Sequence, residues 1–192
     1  MLLSCASTDT TPPTCTLSAS SSGVTFASKS SDTVSYGMST SSTATYNSTT
    51  SLALSAGTKY GFVKDAAGNT GSCSLTISTT TINCDSSNYS TRTTTACTSA
   101  GYLGYASNSC STTTYYWANV YHCDEVEEMD AVYSWQWVHY ADFYVSYAYC
   151  FDSAYNTTGT CSESTAGKYQ YKGCSSTSTE YSGTISCYYK SS

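Results

Sequence analysis

The chain has 192 residues and a net charge of −6, with seven Lys and Arg against thirteen Asp and Glu. So few basic residues leave no patch for a phosphate backbone, which argues against nucleic acid as a partner, and no apolar run approaches the ~18 residues of a membrane-spanning helix. Leu, Ile, Val and Phe are scarce, whereas there are 20 Tyr and 11 Cys. We therefore expect tyrosine rings and disulfides to supply the stability that a thin aliphatic core cannot.

Residues 1–10 form a short N-terminal segment with no basic region and only two leucines. They do not make a complete signal peptide. Leu2-Leu3-Ser4-Cys5 is similar to the lipobox of bacterial lipoproteins, without the apolar region that precedes it there. We expect Cys5 to be free, acylated or bonded to another molecule.

Residues 11–79 alternate short β-prone runs with turn residues, and we predict a small antiparallel sandwich. Alternate side chains in Val34-Tyr36-Met38 and in Cys73-Leu75-Ile77 put apolar groups on one face of a strand. Gly68 suits the positive φ of a tight hairpin. The predicted strands are residues 14–19, 24–28, 33–38, 51–54, 59–64 and 72–77.

Two motifs resemble bacterial Ig-like domains of cell-surface and secreted proteins. Residues 9–14, DTTPPT, are similar to the linker that opens such domains, and residues 63–70, VKDAAGNT, to the hairpin before their last strand. The resemblance covers residues 9–79 and implies an Ig-like sandwich that serves as a spacer or display module. It also implies a disulfide between Cys15 in the first strand and Cys73 in the last. This copy is short, so we expect an edge strand to be missing or borrowed from a neighbour.

We place a domain boundary near Thr80 and predict a disulfide-stapled β-rich domain over residues 80–192. Eight cysteines there are separated by 13, 13, 13, 27, 11, 13 and 13 residues, a step that fits a strand plus a turn. The spacing lacks CxxC and predicts a disulfide framework in an oxidising, extracellular or cell-surface compartment. We expect disulfides between nearest neighbours along the chain, namely Cys84–Cys97, Cys110–Cys123, Cys150–Cys161 and Cys174–Cys187. The alternative is the other pairing phase, with Cys97–Cys110 and Cys161–Cys174.

Residues 124–145 allow two interpretations. Five acids between Asp124 and Asp130 favour the first turn of a helix, and apolar residues follow at helical spacing. The Tyr, Trp, Val and Phe content favours strands instead, and Tyr133-Trp135-Trp137 alternates. Because an acidic opening has little reason to precede a buried strand, we predict one helix over residues 124–145.

The side chains that could carry chemistry are few. His122, beside Cys123, and His139 are the only histidines, and paired cysteines would leave them no thiol partner, so we predict no catalytic residue, metal or cofactor. Asp65 is expected to cap its own turn rather than bind calcium. Six aromatic residues are candidates for stacking on sugar rings, although we expect most aromatic rings to form the core: Tyr115, Tyr116, Trp117, Trp135, Trp137 and Tyr140.

These features predict a non-enzymatic extracellular module of a bacterial surface protein, either an adhesion stalk or a filament subunit. Its expected partners are copies of itself or sister surface domains, joined through an open strand edge of residues 11–79, where lysines that would block an edge are few. The alternative is a lectin-like carbohydrate-binding module that uses the aromatic region of residues 115–147.

Overall fold

The computed structural model describes residues 9–191. The fold is mainly antiparallel β, as predicted. Among these residues no helix is long and apolar enough to cross a membrane. The strands are β1 (Cys15–Ser20), β2 (Gly23–Lys29), β3 (Thr33–Ser39), β4 (Ser51–Leu52), β5 (Gly57–Asp65), β6 (Thr70–Asn83), β7 (Gly104–Asn108), β8 (Ser111–Glu127), β9 (Tyr133–Ser146), β10 (Tyr169–Lys172), β11 (Thr177–Ser182) and β12 (Thr184–Lys190), and the helices are α1 (Thr94–Ser99) and α2 (Tyr147–Phe151).

The six strands predicted before residue 80 are all present as β1 to β6. The hairpin between β5 and β6 turns as expected, because Gly68 adopts a φ of 97° that a side chain would disfavour. Asp65 caps this turn: its carboxylate accepts hydrogen bonds from the backbone and side-chain nitrogens of Asn69, each at 2.8 Å.

Two sheets of this region pack through a shared core. One sheet has the strand order β1-β2-β4, and the other β3-β5-β6-β12-β7. Leu17 and Val24 of the first sheet meet Met38, Leu75 and Ile77 of the second. A disulfide between Cys15 in β1 and Cys73 in β6, with Cα atoms 5.6 Å apart, joins the sheets. This is the pair expected from the sequence, and the packing is sandwich-like.

The chain divides into two compact units, and the division differs from the boundary expected near Thr80. The first unit is Met1–Cys110 with Gly183–Ser192, and the second is Ser111–Ser182. Thr80 lies inside β6, whose N-terminal half pairs with β5 and whose C-terminal half pairs with β12. Since residues 78–83 contain no glycine or proline, nothing ends the strand there and the sheet continues across the expected boundary.

The second unit is organised on the 17-residue strand β8. β9 pairs with one side of β8 along most of its length, while β11 and β10 pair with successive parts of the other side. A small core forms where α2 covers this sheet, from Ala118, Val120, Val145 and Cys150. Tyr116 and Tyr171 pack against that core.

The predicted nearest-neighbour disulfides are wrong in both pairing phases. All ten cysteines from Cys15 to Cys187 are paired, while Cys5 lies outside the described residues. The regular step reflects the length of a strand and its turn, whereas pairing depends on which strands become neighbours in space. The four remaining bridges are Cys84–Cys110, Cys97–Cys187, Cys123–Cys161 and Cys150–Cys174.

The predicted helix over residues 124–145 is also wrong. This segment is the end of β8, a short 3-10 turn at Met129–Ala131 and most of β9. The acids therefore belong to a hairpin end: Asp130 takes a φ of 64°, which aspartate tolerates better than most residues, and Glu128 donates its amide to Val132. The alternating aromatic residues Tyr133, Trp135 and Trp137 lie in β9, in agreement with the strand propensity of aromatic side chains.

Candidate functional site

Four tyrosine rings line an open cleft in the second unit, which we call the tyrosine groove. Tyr149, Tyr155, Tyr169 and Tyr171 surround a cavity of about 290 Å³ together with Lys168. The ring centroid of Tyr149 lies 5.3 Å from that of Tyr155 and 5.4 Å from that of Tyr171. Rings at this spacing are in aromatic contact, which limits their motion and presents a firm surface to a ligand.

A second cavity, of about 400 Å³, adjoins the first and shares Tyr149 and Tyr171 with it. Its remaining wall is more apolar and includes Tyr115, Phe143 and Tyr144. The Tyr144 ring is in edge-to-face contact with Trp117, at a centroid distance of 5.1 Å. The two cavities together give the second unit a continuous aromatic-lined surface.

Local chain geometry explains why tyrosines converge here. Tyr169 and Tyr171 are two residues apart on β10, so both side chains project from one face of the sheet. Tyr149 comes from α2, which the Cys150–Cys174 disulfide ties to the chain just after β10. Tyr155 follows in the loop between these elements, and its amide donates to the carbonyl of Asp152.

Asn156 fixes the loop to β10. Its Nδ2 donates to the carbonyls of Cys150, at 2.7 Å, and Tyr171, at 3.1 Å. Its Oδ1 accepts the Tyr171 amide at 2.9 Å. Only 8% of the residue is exposed, so the side chain acts as an internal polar clamp behind the tyrosine groove.

The groove combines neutral hydroxyls with one cation. Burial, reinforced by the nearby Tyr149 and Tyr169, raises the pKa of Tyr171 above its ordinary value, so its hydroxyl remains protonated at neutral pH. A protonated hydroxyl can both donate and accept hydrogen bonds. Lys168 lies on the cavity wall and takes no part in the ion pairs found among the described residues, which are His122–Asp124 and His139–Asp142.

The comparisons with known proteins are negative: no family model, curated protein or solved structure matches this chain.

The six aromatic residues singled out from the sequence are not brought together. Tyr115 lines the second cavity, and Trp117 supports Tyr144 there. Tyr116 packs against the core beneath α2. The others lie elsewhere on the sheet: the Trp137 indole donates to the Gly159 carbonyl, Tyr140 contacts Tyr169, and Trp135 is opposite Glu125.

The expectation that most aromatic rings form the core is wrong. Among the described residues, Phe62 is the one aromatic side chain in the buried hydrophobic set. The other buried side chains are valine, isoleucine, leucine, methionine, alanine and disulfide-bonded cysteine, and half-buried aromatic rings pack against them from outside. The groove tyrosines were missed because they lie beyond residue 147, although the alternation Tyr169-Gln170-Tyr171 signals two rings on one strand face.

Among the described residues, every cysteine is in a disulfide, so neither histidine has a free thiol partner there. Cys123 is bonded to Cys161 and so cannot act as a thiolate ligand or nucleophile. His122 Nδ1 lies 2.6 Å from Asp124, and His139 Nε2 lies 2.8 Å from Asp142. The Asp142 carboxylate also accepts from Asn119, and the two hydrogen bonds from His139 and Asn119 lower the pKa of Asp142 below its ordinary value.

Three carboxylates of the first unit lie close together. One oxygen from each of Asp9, Asp32 and Asp65 falls within 4.8 Å of the other two. Oxygen donors of this kind can hold a hard divalent cation. The Asp65 oxygens, however, already accept hydrogen bonds from Asn69, so turn capping accounts for this side chain.

Ionisation of Asp65 should make the free energy of unfolding of the first unit depend on pH in the acid range. Burial opposes its ionisation, but hydrogen bonds from Asn69 and neighbouring amides outweigh that effect and lower the pKa of Asp65. The contribution of the Asp65 carboxylate to the free energy of unfolding is complete above about pH 3.9, the pKa of this carboxyl in the unfolded chain. It is lost as the pH falls through the lower pKa that the carboxyl has in the folded protein. In Asp65→Asn, the free energy of unfolding should therefore depend less steeply on pH below about 4.

The control for this prediction is Asn69→Ala, which keeps the carboxylate and removes its side-chain donor. Asn69→Ala should raise the pKa of Asp65 in an NMR titration. An acid-unfolding curve that is the same for Asp65→Asn and the unsubstituted protein would show that Asp65 is not a stabilising carboxylate.

Proposed function

We propose that this protein is an extracellular adhesion module that binds a saccharide in the tyrosine groove. The observation that carries the proposal is the convergence of Tyr149, Tyr155, Tyr169 and Tyr171 on one cleft with Lys168. Cavities lined by aromatic rings and a few polar groups are the usual form of small-ligand sites. The five disulfides support an oxidising environment, which suits an exposed binding module.

A saccharide matches the chemistry of the groove. Sugar rings present flat C–H faces bordered by hydroxyls, and each tyrosine offers an apolar ring face with a hydroxyl at its edge. Ser153 and Thr157 line the same cavity and add hydroxyls. Lys168 supplies a positive charge at the wall, so we propose that the preferred ligands carry a carboxylate, as uronic and sialic acids do.

The proposed role is non-enzymatic. Among the described residues, each histidine is hydrogen-bonded to an aspartate, and neither is bonded to a serine or threonine hydroxyl or a cysteine thiol. A nucleophile with an adjacent base is the arrangement that hydrolysis by a triad requires. The groove itself contributes tyrosine hydroxyls and one ammonium group, which are suited to binding.

The proposal predicts saturable binding of the intact protein to an array of neutral, uronic acid and sialic acid oligosaccharides. Tyr149→Ala and Tyr155→Ala should each weaken the best-bound glycan about tenfold or more, because an aromatic contact is lost. Lys168→Gln should reduce affinity for acidic glycans and leave neutral ones unchanged. Isothermal titration calorimetry measures each affinity.

Tyr133→Ala is the matched control, since Tyr133 is 55% exposed and lies on β9 outside both cavities. It should bind like the unsubstituted protein. If no glycan bound saturably, or if Tyr133→Ala and Tyr155→Ala behaved alike, the saccharide proposal would be wrong.

A structural role as a stalk or filament subunit is the second candidate. It is favoured by the first unit, in which the Cys15–Cys73 disulfide ties two packed sheets together. This arrangement supports the proposal that residues 9–79 are a bacterial Ig-like spacer domain. A structural subunit should bind no glycan saturably, so the array distinguishes the two candidates.

A further inference from the structure

We propose that β9 pairs edge to edge with β9 of a second copy of this chain and forms a twofold dimer. Among the described residues, only β8 pairs with β9, and it does so on one side. The other edge of this 14-residue strand has no strand partner among these residues. An open strand edge presents a row of unpaired amides and carbonyls to another chain.

β9 lacks most of the features that protect an edge. Its sequence, YSWQWVHYADFYVS, contains no lysine, arginine, glutamate or proline, and Asp142 is its only carboxylate. Exposed apolar side chains lie along it, including Val138, Tyr140 and Phe143. By contrast, the edge strand β3 of the first unit is partly capped, because the Ser48 amide donates to the Tyr36 carbonyl. The self-assembly expected from residues 11–79 therefore has a better-suited edge in the second unit.

A β-bulge identifies a second copy as the partner. Val120 pairs with Ala141 and Tyr121 pairs with His139, so Tyr140 is an extra residue in β9. A bulge disturbs pairing with a regular strand. A twofold axis between Tyr140 and Ala141 brings the bulges of both copies to the same point. The extra residue in one strand is then matched by the extra residue in the other, and the strands stay in register on both sides of the axis.

The same register places complementary hydrogen-bonding groups opposite each other. The bulge shifts the alternation by one residue, so His139 and Asp142 share a face and lie 2.8 Å apart. The twofold axis places His139 of one copy opposite Asp142 of the other. It also pairs Trp137 with Tyr144 and Val138 with Phe143, and aromatic or apolar cross-strand pairs of this kind stabilise sheets.

The test is sedimentation equilibrium of the intact protein from low micromolar to near-millimolar concentration. The unsubstituted chain should reach a dimer and go no further, because the interface uses the open edge of both copies. Tyr140→Lys should raise the dimer dissociation constant at least tenfold, because two lysines meet beside the axis. Tyr155→Lys is the matched control: Tyr155 is similarly exposed and lies off the sheet, so dimerisation should be unchanged.

Hydrogen exchange of the unsubstituted protein gives a test that needs no variant. Outward-facing amides of β9 should exchange more slowly at high protein concentration than at low. A monomer at every concentration, β9 exchange independent of concentration, or equal dimerisation of Tyr140→Lys would overturn the proposal. Glycan binding by the unsubstituted protein, measured at the low micromolar end of the concentration range, separates a failure here from a failure of the saccharide proposal.

Discussion

Replacing both Cys97 and Cys187 with alanine is expected to lower the free energy of unfolding by about 4 kcal/mol. This disulfide spans 90 residues, the longest separation of the five, and closing a long loop removes the most entropy from the unfolded chain. Both cysteines are fully buried beside Ile185. Because a domain is typically stable by only about 5–15 kcal/mol, this loss should leave the first unit marginal.

The comparison for this prediction is the double substitution Cys150→Ala with Cys174→Ala. That bridge spans 24 residues, so its removal should cost about 1 kcal/mol less in the chain-entropy model. Urea unfolding followed by circular dichroism measures the free energy of unfolding of both variants. Because both cysteines of each bridge are replaced, neither substitution leaves an unpaired thiol. A smaller loss for the Cys97–Cys187 pair than for the Cys150–Cys174 pair would contradict the loop-closure argument.

Asn156→Ala is expected to destabilise the second unit by about 3 kcal/mol, because three backbone groups lose a buried partner. The side chain bonds the carbonyls of Cys150 and Tyr171 and the amide of Tyr171. An unsatisfied buried polar group costs about 1–3 kcal/mol, and water reaches some of these groups after the substitution. Saccharide binding should weaken as well, since Tyr149, Tyr155 and Tyr171 are positioned by the same loop and strand.

Asn47→Ala provides the matched control. Asn47 and Asn156 both stand in an Asn-x-Ser/Thr sequence, but Asn47 is exposed, and its Oδ1 accepts one hydrogen bond among the described residues, from the Thr49 amide at 3.1 Å. Its replacement should cost less than about 1 kcal/mol. Thermal and urea unfolding measure both variants, and equal stabilities would show that Asn156 is not the clamp of the groove.

Much of the first unit followed from local sequence. The alternation in Val34-Tyr36-Met38 and Cys73-Leu75-Ile77 predicted strands that are present as β3 and β6. The turn at Asp65 and Gly68 was predictable because positive φ and side-chain capping depend on residues only a few positions apart.

The candidate site was far less predictable. Tyr115 was singled out and lines a cavity, whereas Tyr149, Tyr155, Tyr169 and Tyr171 were not. The role of Asn156 was not predictable, because nothing in the local sequence shows that its partners are Cys150 and Tyr171. The local sequence does not show whether a tyrosine lies in a core, on a surface or in a cleft, because that depends on its neighbours in space.

By itself the sequence determined the β class, the first six strands and the presence of a disulfide framework, since these depend on residue type, alternation and turn chemistry. Only the tertiary structure decided the partners of the four bridges between Cys84 and Cys187, the strand form of residues 133–146 and the convergence of the tyrosines. β12 shows the physical reason: it returns from the end of the chain to lie between β6 and β7, and this places Cys187 beside Cys97 rather than beside Cys174. Contacts made across such separations depend on sheet order, which no regular spacing along the chain encodes.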